Sequence, residues 1–257
     1  MPAGLLVQAD PATIAAHFPA LIALQPIRHA PEGLICSPRV DPEGARAAIA
    51  RCPLPLRELD TVPGWPDPPA ARVAGWYRRA PGHATAPPGV RELVQTPGEG
   101  FGPLGHATTA MCLAMFAHMP TGPAFDAGCG SGLLAQAWAA AGRGPVDGCD
   151  LDGRAVTQAR AGIASAGLGA QVRLERRSLE RLTPDELSGR VLLANVPAGA
   201  HRTLLGTIGR PPRAAVLSGL RPDETPPIIV GWAGHGLTVV RSACAGGFIA
   251  LALRGPR

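Results

Sequence analysis

From residue 101 onward the chain alternates short apolar runs with stretches that read as helices, and this alternation constrains the fold more than any other feature. Strands are expected near 124–128, 146–150, 171–176, 190–195 and 214–218, with helices near 107–118, 131–141, 153–165, 183–188 and 198–208. A helix between two strands returns the chain to the starting edge, so successive strands run the same way and form a parallel α/β sheet. The punctuation agrees. Thr183-Pro184-Asp185-Glu186 has the form of a capping box, and Gly142, Gly167 and Gly209 stand where left-handed helix stops are expected. The tail "LTVVRSACAGGFIALALR" has two strand-like runs about a Gly-Gly pair, which predicts a terminal antiparallel hairpin.

The first hundred residues follow a different pattern. Asp10-Pro11 and Asp41-Pro42 each supply an N-cap followed by a proline suited to the first helical position, and "EGLICSPRV" between them reads as a strand. Ten prolines fall between Pro53 and Gly100, around one further expected helix, "DPPAARVAGWYRR", opened by Asp67-Pro68. Trp65, Trp76 and Tyr77 read as local core or as a contact surface. The expected organisation is thus a small, irregular α/β domain with a Pro-rich linker over 1–95, followed by a larger α/β domain over 96–257.

Composition removes several chemistries. The chain has no lysine, so its 24 basic residues are all arginine. Neither a Schiff-base lysine nor a phosphate loop of the Walker type is available. The net charge is +5, but the arginines are scattered, which speaks against a nucleic-acid surface. Cys36, Cys52, Cys112, Cys129, Cys149 and Cys244 show no metal-ligand spacing and no CxxC pair, so no metal is expected and the thiols read as reduced. No apolar run approaches the ~18 residues of a membrane span, and the expected location is cytoplasmic.

The chemistry concentrates in "AFDAGCGSGLLAQ", an apolar run that breaks into glycines and resumes as a helix. Gly128, Gly130 and Gly132 give GxGxG, but the sixth position of a dinucleotide fingerprint is Leu133. Asp150 follows Gly128 by 22 residues, at the end of the next expected strand. That is close to the ~20 at which a carboxylate takes a ribose diol. The pair points to a nucleoside ligand that need not carry a pyrophosphate. Asn195 ends the fourth strand, where open α/β sheets place their ligands, although it could instead cap the helix beginning at Pro197. His106 could act as a base or could fix its loop by hydrogen bonds.

With "GCGSG", "GCDLD" and "VLSGL", the stretches "GEGFGPLGHATTAMCL" and "LLANVP" resemble the PrmA family of methyltransferases, which use S-adenosylmethionine to methylate a protein of the large ribosomal subunit. The resemblance runs over about residues 91–220 and rests most on the His-x-Thr-Thr stretch. It implies a Rossmann-like class I sheet, S-adenosyl-L-methionine as cofactor, and cofactor contacts from Thr109, Gly128, Asp150 and Asn195, with Gly130 in the same loop. It also implies a protein amine as acceptor, with a small-molecule or peptide amine as the alternative. Asn195 and His106 are the expected catalytic residues. The family's second loop glycine is Leu104 here, after Pro103, and Val196-Pro197 replaces two aliphatic residues. These departures leave open a binder of the cofactor without catalysis.

Overall fold

The computed structural model describes residues 4–10, 12–14, 16–17, 26–30, 32–36, 47, 49–59, 71–79, 91–96 and 106–255. It divides into two compact units, residues 1–64 and 65–257, so the expected boundary near 95 falls inside the second.

In the first unit, β1 (Gly4–Gln8), β2 (Pro26–Ala30), β3 (Gly33–Cys36) and β4 (Leu56–Leu59) form an antiparallel sheet in the order β2-β3-β1-β4. Leu5, Val7 and Ile14 are its buried core. Asp10 caps as its position predicts, its carboxylate accepting from the backbone N–H groups of Ala12 and Thr13 at 2.9 and 3.0 Å. Asp41-Pro42, Asp67-Pro68 and Trp65 lie outside the described residues, as do Pro103 and Leu104.

The second unit begins with β5 (Ala71–Val73), β6 (Trp76–Arg79) and β7 (Arg91–Val94). A helix was expected across the first two of these. The structure has a hairpin instead, turning on Ala74 and Gly75 at φ 50° and 82°. Two successive left-handed residues make a tight turn whose twist suits a hairpin, and β6 then pairs with the distant β7, a partner that local helix propensity cannot anticipate. Trp76 is buried in the main core, while Tyr77 is only half-buried. Gln136 ties β7 to the helix beneath it, accepting from Val94 N at 2.5 Å and donating to Val94 O at 2.9 Å.

The central sheet contains β8 (Ala124–Ala127), β9 (Val146–Asp150), β10 (Val172–Arg176), β11 (Val191–Asn195), β12 (Ala214–Leu220), β13 (Thr238–Ala245) and β14 (Phe248–Arg254). Their order is β10-β9-β8-β11-β12-β14-β13. The first five are parallel, and β14 runs antiparallel beside β12 with β13 at the edge. The hairpin turns on Gly246 and Gly247, at φ 59° and 78°. The described residues of the unit also form the α-helices α1 (Ala107–Met115), α2 (Leu133–Ala140), α3 (Gly153–Ser165), α4 (Ala198–Thr207) and α5 (Thr225–Gly234). Two core clusters cover the two faces of the sheet, one holding Leu193 and Val216 and the other Leu192 and Leu217, the alternation a sheet buried on both sides requires.

Two helical details need correction. Residues 183–188 form turns, although Glu186 does reach back to the backbone N–H of Thr183 at 3.1 Å, as a capping box would. Gly209 is not a left-handed stop. It keeps α4 close to this turn, its N–H donating to Pro184 O at 2.8 Å. Helix α5 was unexpected, since Pro226 and Pro227 look like breakers, yet at the first helical positions neither proline removes a needed donor. Among the described residues no helix is long and apolar enough to cross a membrane.

Candidate functional site

After β8 the chain moves outward in one direction to β9 and β10, and later in the other to β11 and β12. The reversal between β8 and β11 opens a crevice at the strands' carboxyl ends, the place where such sheets take ligands. A cleft of about 750 Å³ lies there, within the range of small-molecule sites. Gly128, Gly130, Asp150, Asn195 and His106, all expected from sequence, line it together.

The glycine turn is held from behind. The backbone N–H groups of Gly128 and Cys129 donate to Cys149 O at 2.8 and 3.0 Å, and that of Gly130 donates to Asp150 Oδ2 at 2.8 Å. Gly128 has φ 69°, and a Cβ there would collide with Val196 Cγ1. Only glycine meets both conditions. Asp150 also accepts from Asp152 N through Oδ1 at 2.9 Å, while Asp152 caps α3. The Asp150 carboxylate therefore braces the turn with one lone pair on each oxygen and keeps others for a ligand.

Asp126 escaped the sequence reading. It sits on β8 almost fully buried, with Oδ2 accepting from Ala135 N at 3.0 Å. Burial, reinforced by the charge of Asp150, pushes its carboxyl up to about 7. Burial likewise pushes the Cys149 thiol up to about 11 and holds Cys129 well above its ordinary value, so both are protonated near neutrality. The available signal for Asp126 was a carboxylate inside an otherwise apolar strand.

The His-x-Thr-Thr stretch opens α1. His106 is the N-cap, its Nδ1 accepting from Thr108 N at 3.4 Å and lying 2.8 Å from Thr108 Oγ1. Burial lowers its pKa, and its ring is tilted against Phe248 at 5.6 Å. These contacts tie the ring to the first turn of α1. Asn195 Nδ2 donates to Thr108 Oγ1 at 3.1 Å. Helix α4 has no side-chain cap, so the alternative of Asn195 as a capping residue does not hold. Asn195 Oδ1 and Thr109 Oγ1 are both buried without a hydrogen-bond partner, and both residues line a small hollow beside Asp126, Gly128 and Ser131. Thr108 and Leu151 were missed. Leu151 is a large apolar side chain left 69% exposed at the cleft wall.

A doubly wound sheet with this glycine turn, acidic strand end and terminal antiparallel pair is a Rossmann-like methyltransferase fold. Residues 89–223, more than half of the chain, match the family described as "Ribosomal protein L11 methyltransferase (PrmA)", and the chain belongs to that family. It is 36% identical over 154 residues to the ribosomal protein L11 methyltransferase of Syntrophotalea carbinolica, covering 57% of this chain and 49% of that protein. With the Gloeobacter violaceus protein of the same name it shares 32% over 170 residues, 64% of this chain and 53% of the other. The chain thus spans about half the length of the curated relatives it matches. A ribosomal protein L11 methylase from Lactobacillus delbrueckii subsp. bulgaricus shows the same fold, with a TM-score of 0.58 at 22% identity over 71% of this chain and 96% of that one.

Proposed function

We propose that the cleft binds S-adenosyl-L-methionine and that the chain transfers its methyl group to an amino group of a protein, with a ribosomal protein as the acceptor its family relatives suggest. The observation that carries this reading is the pair of orphaned buried oxygens, Asn195 Oδ1 and Thr109 Oγ1, beside a glycine turn braced by Asp150. Buried polar atoms without partners are uncommon, and these two belong to residues lining one hollow, where N–H or O–H donors of a ligand would satisfy them.

The residues fit the cofactor. Asp150 takes the ribose hydroxyls with its remaining lone pairs, Gly128 and Gly130 let the ligand lie against backbone, and Leu151 gives an apolar surface to a flat base. When bound, S-adenosylmethionine supplies a methyl group on a positively charged sulfur, open to direct displacement. The protein's part is to orient an unprotonated amine, which Asn195 Oδ1 does by accepting one of its N–H bonds. His106, held neutral, completes the loop. Val196-Pro197 forms part of the cleft wall, with Val196 packed over Gly128, an arrangement compatible with catalysis. The unit over 1–64 would select the acceptor, in the cytoplasm where ribosomal proteins are made.

The test is transfer of label from radiolabelled S-adenosylmethionine to ribosomal proteins, with total RNA and a metabolite extract in parallel. Label in the protein fraction supports the reading, and label confined to small molecules or RNA overturns it. Binding without transfer to any fraction would identify a non-catalytic binder.

A further inference from the structure

The part-buried hydrogen bonds at the cleft wall form a directional chain. A backbone N–H can only donate, so the bond from Thr108 N makes His106 Nδ1 an acceptor and places the ring proton of the neutral imidazole on Nε2. The Thr108 hydroxyl, 2.8 Å from the same nitrogen, must then donate to it. With its single proton committed, Thr108 Oγ1 can only accept from Asn195, which fixes which end of that amide faces it: Nδ2 at 3.1 Å. The reversed amide would set oxygen against oxygen with no proton between them.

A threonine in the first turn of a helix ordinarily bonds a carbonyl of its own chain segment. Thr108 is almost fully buried, and besides His106 it bonds the side chain of a residue 87 positions away, on β11. Local helix structure does not account for that contact.

We propose that Thr108 is a positioning residue for this site: its hydroxyl, oriented by His106, holds the Asn195 amide with Nδ2 toward Thr108 and leaves the buried Oδ1 as the unpaired acceptor, and that position therefore takes an N–H donor and rejects a carboxylate. The inference rests on the reading of the cleft as a methyl-transfer site. Two N–H donors belong to that chemistry, the amine of the methyl acceptor and the α-ammonium of the cofactor.

Thr108→Val keeps the branched shape and removes the hydroxyl, and Thr108→Ser keeps the hydroxyl. Each is compared with the full wild-type chain by calorimetric titration with S-adenosylmethionine, by turnover on the amine substrate, and by nitrogen-15 NMR of the His106 ring. The wild type should show the Nε2–H tautomer. The valine variant should lose about tenfold, the effect of one unmade buried hydrogen bond, and serine should restore it. A loss in turnover at unchanged cofactor affinity makes the acceptor amine the donor, and a loss in affinity makes it the cofactor's ammonium; both support the relay. An Nδ1–H tautomer in the wild type, a valine variant unchanged in both constants, or a loss that serine fails to restore would overturn it. If the wild type methylates no amine, the functional reading fails, while tautomer and cofactor affinity still decide the role of Thr108.

Discussion

The two ends of the central sheet are built to opposite effect. At the amino ends of β8 and β9 the structure is closed. The Trp138 indole N–H donates to Gly122 O at 3.0 Å, Phe116 meets the ring edge-on at 5.1 Å, and the Arg143 guanidinium lies 4.6 Å above it while bonding Met119 O. At the carboxyl ends of β8, β9 and β11 the backbone opens through left-handed glycines, a carboxylate is buried, and two oxygens lack partners. One end supplies packing and the other gives it up for a ligand, the division expected where a rigid scaffold carries a strained site.

The largest expected effect tests whether the ends are separable. Trp138 is fully buried, so Trp138→Ala should destabilise the fold by about 3–5 kcal/mol in chemical denaturation. Cofactor affinity of the protein that remains folded should be unchanged. A parallel loss of affinity would show that the closed end also shapes the cleft.

Asp126 makes the complementary case at the open end. Its carboxyl is raised from 3.8 to about 7 in the folded protein, so the unfolded chain gives up its proton first as pH rises. The native state is favoured most below pH 3.8, and that advantage is lost as pH rises through about 7. Between pH 4 and pH 8 the stability of Asp126→Asn should gain on the wild type by roughly 4 kcal/mol, the free-energy equivalent of that shift. A gap that stays constant with pH would show that Asp126 is ionised throughout and costs the fold nothing.

How much of this was legible follows the same division. β9 and α3 match their expected ranges, because Val146–Asp150 is bounded by a proline and by the Asp152 cap, and Gly167 ends the helix region. The terminal hairpin was equally plain from its Gly-Gly turn. What failed depended on distant partners: β6 is a strand because β7 pairs with it, and Ala74 carries no mark of the left-handed backbone it adopts. In the site, Gly128, Asp150 and Asn195 could be read from spacing and resemblance. Thr108 could not be told from Thr109, since only the fold brings Asn195 to one hydroxyl and leaves the other without a partner.

Asp150→Ala reverses the Trp138 experiment. It removes the acceptor for Gly130 N and Asp152 N and, in the proposed reading, the partner for a ribose diol, all at the open end. Affinity for S-adenosylmethionine should fall by about 1–3 kcal/mol, the range for unpairing such groups, with little change in denaturation midpoint. An unchanged affinity would take Asp150 out of the site.

The smallest effect is expected at Gly142, just beyond α2 at the closed end. Gly142 and Gly128 have nearly the same backbone, φ 64° and 69°, but nothing lies within 4 Å of a Cβ built on Gly142, whereas one on Gly128 would strike Val196. Gly142→Ala therefore adds only the left-handed strain of a non-glycine residue, about 1–2 kcal/mol of stability, and should leave cofactor binding intact. Gly128→Ala carries the same strain and in addition displaces Val196 from the cleft wall, so it should weaken binding as well. Helix α2 joins the two positions, starting beside the glycine turn and ending before Gly142. If Gly142→Ala also weakens binding, strain at one end of that helix is felt at the other, and the two ends of the sheet are coupled through α2. If Gly128→Ala binds normally, Val196 can yield, and the glycine at 128 serves the turn alone.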